Sequence, residues 1–193
     1  MKKSGFQQFM EKGALFSLAA SAVCLCCRLI FGGSVWVALT ITFTTVLYHF
    51  AVRIAVGAVV DHITASGVIY NRAWFRQSRA ESFVYRLLRV HRWKLKIPTY
   101  TPEKFSLKQN TPEQVVCNMC AAELIHEVNF LVSFLPVVLS IVIPFLNSTL
   151  IVFVLTSSAA ALFDLVFVVI QRYNRPRMMK LIGSRKYSNN AMK

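Results

Sequence analysis

The chain has 193 residues, a formal net charge of +14 and a hydrophobic share of 55%, with a mean hydropathy of +0.51. Such apolarity and such charge fit one chain when they are segregated, with apolar spans in lipid and basic segments outside it. This excludes an ordinary soluble enzyme, and the repeated apolar runs argue against a nucleic-acid-binding module despite the basic balance.

The N-terminus, MKKSGFQQFMEKGALFSLAASAVCLCC, has the basic start and apolar core of a signal peptide. It lacks a small-x-small cleavage site, and Arg28 and a second apolar run follow, so it reads as a retained first span. Four spans are predicted, at 14–31, 35–60, 128–145 and 150–170, each close to the roughly 20 residues that a bilayer core requires. The second is the least uniform, because His49 and Arg53 stand one turn apart in it. Snorkelling and interhelical hydrogen bonds account for such a pair as well as catalysis does.

Charge sets the predicted topology. Three Lys/Arg precede the first span, ten lie between Asp61 and Cys120, and seven follow Gln171, while the short loops GGS and LNS carry none. Basic loops stay on the cytoplasmic side, which predicts cytoplasmic termini and a cytoplasmic central segment. The expectation is a single integral membrane domain over 1–193, all-α, with a basic segment at 61–120 and a basic tail at 171–193. Cys24, Cys26 and Cys27 lie in an apolar run, and Cys117 and Cys120 form one CxxC without the second pair a structural zinc needs. Neither a disulfide framework nor a metal site is predicted.

In the central segment, NRAWFRQSRAESFVYRLLRVHRWKLKIPTY interleaves Arg with Trp, Phe, Tyr and Leu. Phe83, Leu87 and Val90 are predicted to share one helical face and Arg79, Arg86 and Arg89 the other, as in an amphipathic interfacial helix broken by Pro98 and Pro102. A further helix starts at NTPEQ: Thr111 caps, Pro112 suits the first position and Gln114 completes a capping box. It carries Glu123, His126 and Glu127 towards the third span.

Glu123 and His126 are three apart and share a face. A carboxylate beside an imidazole fixes its tautomer and raises its basicity, as a general base for a hydroxyl requires. An interfacial polar pair at the end of a span would look the same. Asp164, inside the fourth span, is expected to pair with Arg53 or Arg28, or to be protonated. Pro176 is expected to end the fourth helix at Arg175, with Asn174 capping a short following helix, PRMMKLIG. That break would gather amide and guanidinium donors, and guanidinium grips phosphate in a forked geometry, although a basic anchor has the same composition. From the residues alone, the chain is a polytopic membrane protein with an intramembrane polar site.

The segments AAELIH, FLPVV and VVIQRYNRPRM resemble the glycosyl-4,4'-diaponeurosporenoate acyltransferase family, over roughly 61–180. The heptad Gln171–Arg177 and the segment Ala122–His126 carry most of the likeness, with Trp93, Lys94 and Lys96 as a weaker match. The chain departs from the family's usual pattern at Asn118–Ala121, at Glu127 after the histidine, and at Asp164 and Val166, where an Asn-x-Pro is usual. The resemblance implies a bacterial membrane enzyme that moves a fatty acyl group from a thioester to a sugar hydroxyl of a glycosylated carotenoid-like lipid. Acyl-CoA or an acyl carrier thioester would be the co-substrate, on the cytoplasmic side, with no other cofactor. His126, oriented by Glu123, would be the base. Arg172, Arg175 and Arg177 would hold phosphates, assisted by Trp93, Lys94 and Lys96 and by Gln171. Tyr173 or Asn174 would face the oxyanion. A membrane methyltransferase or reductase, or a non-catalytic subunit binding anionic lipid, would use similar parts.

Overall fold

The computed structural model describes residues 3–68 and 70–191, with side chains as far as 184; Lys2, Ile69 and the last two residues of the basic tail lie outside the described residues. The described residues form seven α-helices: α1 (Gly5–Phe31), α2 (Ser34–Ile63), α3 (Arg79–Leu87), α4 (Val90–Trp93), α5 (Pro112–Val132), α6 (Leu135–Val142) and α7 (Leu150–Ala191). Short 3-10 turns join several of them, and no strand occurs among the described residues. Four stretches are long and apolar enough to cross a membrane: Gly5–Phe31, Ser34–Ile63, Pro112–Val142 and Pro144–Ser184. The all-α, four-span polytopic class is therefore as predicted. Most of the helices run past the predicted spans, above all at the start of the third and the end of the fourth.

The chain divides into two compact units, and the first comprises Met1–Ala58 and Val128–Phe163. Ser4 caps α1 by accepting from the Gln7 amide at 3.1 Å. Gly32 ends it at φ +68°, a left-handed backbone that a side chain resists, and returns its N–H to the Arg28 carbonyl. The α1–α2 hairpin closes through Ser21 and Thr44, whose hydroxyls are 2.7 Å apart, and through the edge-on pair Phe16–Phe43. Gly13 lies directly under the Phe50 ring, where a Cβ would stand 2.9 Å from it. Leu15, Leu29, Ile30 and Phe31 point outward, and an apolar surface of this extent is stable against lipid rather than water. Arg53 meets that environment by hydrogen bonding: Nη1 donates to the His49 carbonyl, and Nη2 donates to Ser133 Oγ and the Ala160 carbonyl.

The second unit comprises Val59–Glu127 and Asp164–Lys193. Its core is Phe75, Val116, Cys120 and Ile182, with Leu124, Met178 and Met179 packed on it. The predicted capping box of α5 is present: Thr111 Oγ1 accepts from the Gln114 amide at 3.2 Å, and Gln114 Oε1 accepts from the Thr111 amide at 2.8 Å. A second box, Ser78 with Glu81, starts α3. The predicted single amphipathic helix is instead two. Arg89 takes a left-handed φ of 49° between α3 and α4, so the facing changes. Phe83 and Leu87 are exposed while Val90 is fully buried, so these three do not share a face.

Pro176 does not end the fourth helix. It lies inside α7, which runs unbroken from Leu150 to Ala191, so the capped second helix beginning at Asn174 is not formed. Proline removes the N–H that would reach the Arg172 carbonyl, and its ring crowds that carbonyl, a penalty of about 3 kcal/mol in a helix interior. Packing on both sides outweighs it, because Arg175 is buried just before the proline and Ile182 enters the core just after it.

Candidate active site

His126 on α5 meets Asp164 on α7, with Nδ1 and Oδ1 2.9 Å apart. Asp164 is fully buried and the His126 side chain is 20% exposed. Three residues along α7, Phe167 stacks flat on the imidazole, with ring centres 4.5 Å apart and planes 11° from parallel. Among the described residues Nε2 has no hydrogen-bond partner. An ionised Asp164 requires the proton on Nδ1, which leaves Nε2 as the basic nitrogen. The carboxylate beside His126 is therefore Asp164, where Glu123 was expected.

Glu123, one turn before His126, is turned to other work. It is fully buried, and both of its oxygens face arginine. Arg172 Nε donates to Oε1 at 2.8 Å, and Arg175 Nη2 donates to Oε2. Arg172 also donates to Glu81 Oε1 at 2.5 Å, to Glu127 Oε1 at 3.3 Å and to the Trp74 carbonyl at 3.2 Å. Arg175 completes the cluster through the Phe75 carbonyl at 2.6 Å, and Trp74 Nε1 donates to Glu127 Oε2 at 2.9 Å. Two of the three arginines expected to hold phosphate are thus enclosed by three carboxylates. An anion approaching them meets net negative charge. At Glu81, burial pushes the carboxyl up, but the Ser78 amide and the Arg172 guanidinium outweigh it and hold it below the usual carboxylate range. Burial raises the neighbouring Tyr85 phenol, and the Glu81 charge adds to that.

Three other residues of the heptad border a cleft of about 340 Å³. Gln171, Asn174 and Arg177 line it from α7, Val115 and Met119 from α5, and Lys94 from the central segment. Lys94 Nζ donates to Asn174 Oδ1 at 2.5 Å, and Arg177 Nη2 donates to the Tyr173 hydroxyl at 2.8 Å. Both cations lie against the Tyr173 ring, 5.0 and 4.8 Å from its centre, while Tyr85 packs edge-on to the same ring. Burial, and then the nearby Arg177 charge, lowers the Lys94 ammonium from its ordinary value. Trp93 spends its indole N–H on the Leu88 carbonyl, at 3.0 Å, which fixes the bend before Lys94.

The glycosyl-4,4'-diaponeurosporenoate acyltransferase family model matches residues 70–184, well over half of the chain. The chain belongs to that family. No curated protein and no solved structure matches it. As a member of an acyltransferase family the chain is an acyltransferase, and its four apolar helices make it a membrane one. The match contains Lys94, Glu123, His126, Asp164 and the whole heptad, and leaves α1 and α2 outside.

Within this family member the heptad does three jobs. Arg172 and Arg175 clamp Glu123; Tyr173, Asn174 and Arg177 gather around Lys94; and Gln171 forms cleft wall. Asn174 lies ten residues along α7 from Asp164, about 15 Å of helix rise. That distance puts the heptad's polar end away from a carbonyl held at His126. The pairing with His126 was not among the partners expected for Asp164. Spacing relates residues within α5, whereas the His126 pairing joins α5 to α7. Trp74, Glu81 and Glu127 were missed as parts of the arginine cluster for the same reason, although the Ser-x-x-Glu spelling at Ser78 did announce the box that places Glu81.

Proposed function

We propose that the chain transfers a fatty acyl group from an acyl thioester, acyl-CoA in the first instance, to a sugar hydroxyl of a glycosylated, carotenoid-like membrane lipid. The family's name supplies the acceptor class, a glycosylated diaponeurosporenoate. The observation that carries the mechanism is His126, with Nδ1 against a buried carboxylate and Nε2 open.

Nε2 removes the proton of the acceptor hydroxyl as its oxygen attacks the thioester carbonyl carbon. Asp164 holds the ring in the productive tautomer and stabilises the imidazolium that forms. The tetrahedral intermediate then collapses with cleavage of the C–S bond. The imidazolium returns the proton to the leaving sulfur, giving an ester and a free thiol with every atom accounted for. Phe167 keeps the imidazole plane fixed against rotation. Glu123 supports the site indirectly by fixing Arg172 and Arg175. The positive-inside pattern supports cytoplasmic termini and a donor site on the cytoplasmic side of the cell membrane, where acyl-CoA resides.

The test is a transfer assay on membranes carrying wild type or His126→Ala, given labelled acyl-CoA and a glycosylated carotenoid acid, with lipid extracts compared by mass. A product heavier by one acyl chain, present only with wild type, supports the reading. Equal product from His126→Ala removes His126 as the base.

A further inference from the structure

In the second unit, cations and carboxylates are unevenly shared. Arg172 and Arg175 are matched by Glu81, Glu123 and Glu127, and Lys104 by Asp61 at 2.7 Å. Lys94 and Arg177 are treated differently: among the described residues, neither meets a carboxylate. Their partners are the neutral Asn174 amide oxygen and the Tyr173 hydroxyl, and one aromatic ring carries both. Two like charges collected on one ring repel each other, and partial burial takes solvation from the lysine. An anion placed between or beside them relieves both effects.

The surroundings limit the anion's shape. The cations stand at the wall of the cleft, whose other lining includes the apolar Val115, Met119 and Ile170. Met119 and His126 are seven residues apart on α5, and Gln171 and Asp164 are seven apart on α7. Seven residues are almost two helical turns, so each pair lies on one stripe, about 10 Å apart. The cleft and the His126–Asp164 pair therefore lie about two turns apart along α5 and α7, with the Glu123 clasp to Arg172 and Arg175 between them. A ligand with a charged head at Lys94 and a reacting group at His126 needs a narrow arm long enough to pass that clasp.

The geometry points to the Lys94–Tyr173–Arg177 cleft as the receptor for the phosphate that ends a phosphopantetheine arm, with the thioester at the arm's other end reaching His126. The inference rests on the acyl-transfer reading above and adds to it the part of the donor that is recognised. The arm is common to coenzyme A and to acyl carrier proteins, so the cleft reads the group the two share. Gln171 and Asn174 contribute side-chain amides to the lining of that cleft.

Binding to detergent-purified full-length protein tests this without reliance on turnover. By calorimetry, wild type should bind 4'-phosphopantetheine at least tenfold more tightly than pantetheine. In the double variant Lys94→Gln, Arg177→Gln that difference should fall below twofold, with pantetheine binding unchanged. Arg177→Gln alone, at an exposed position, should remove part of the difference and serves if the double variant does not fold. A wild type that does not distinguish the two ligands, or a double variant that still does, overturns the inference. So does a site that ignores phosphopantetheine yet binds phosphatidylglycerol micelles, which would make the anion a lipid headgroup. Transfer assays with acyl-CoA, acyl carrier protein and acyl-pantetheine separate the two readings. No transfer from any donor, with the binding preference intact, sinks the acyl-transfer reading and leaves the phosphate receptor standing.

Discussion

Asp164 holds His126 from the opposite helix, oxygen to Nδ1 at 2.9 Å, with no exposure of its own to solvent. A buried carboxylate in an apolar span is costly unless paired, and ionisable groups at such depth generally serve a site. An ionised Asp164 in this pairing fixes the imidazole's tautomer, with the proton on Nδ1.

Asp164→Asn is the direct test of that pairing. The amide keeps the shape but is no longer a charged acceptor, so the imidazolium formed during transfer loses its stabilisation. We expect kcat to fall by about 10²-fold, within the range for general-base contributions, with KM for donor and acceptor within twofold. Combining it with His126→Ala should add little further loss, because groups acting as one unit are not additive. Initial rates decide it: an unchanged kcat in Asp164→Asn would separate the carboxylate from the chemistry.

Glu123 should behave as a structural residue. Its removal leaves two guanidiniums short of their shared buried partner, and breaking a buried pair on one side destabilises by about 3–5 kcal/mol. Glu123→Gln should therefore lower the thermal unfolding midpoint in detergent markedly, and activity should fall in step with the folded fraction. The pair Glu123→Leu with Arg175→Met should cost less than the sum of the two single changes, because each partner's loss relieves the other. Additive losses would show that the two groups are not coupled.

These contrasts also show where the sequence was readable. Periodic apolarity and charge segregation marked the four spans, and the Thr111 and Gln114 spelling marked the start of α5, because those signals are local. The His126 region and the heptad were found as candidates, and the match over 70–184 places both inside the family. What could not be read was the pairing. Glu123 and His126 sit one turn apart on a shared face, yet their side chains go to Arg172 and Arg175 and to Asp164 respectively. The break at Arg89 escaped notice because an arginine there gives no local warning of a left-handed backbone.

Acid should expose the arginine cluster through Glu81. Its folded pKa lies below its unfolded value, so it contributes stability that is fully present above the ordinary carboxylate range, about 4.3 for Glu. That stability is lost as pH falls through the depressed folded value. Stability against pH should slope downward on the acid side in wild type, and Glu81→Gln should flatten that slope while lowering stability at neutral pH. The same slope in both proteins would mean that other carboxylates govern the acid limb.

Pro176 offers the last test, because the helix around it is continuous. If α7 passes straight through the proline, alanine there restores an N–H for the Arg172 carbonyl and removes the ring that crowds it. Pro176→Ala should then raise the unfolding midpoint, with a gain in unfolding free energy of up to the proline penalty of about 3 kcal/mol. Arg175 should stay buried against Glu123 and Phe75, because α7 keeps its course, so transfer activity should remain within twofold of wild type. If the proline instead bends α7 to aim Tyr173, Asn174 and Arg177, the alanine variant would gain stability and lose donor affinity together. Measuring the unfolding midpoint and the donor KM on one preparation separates a tolerated proline from a proline that shapes the cleft.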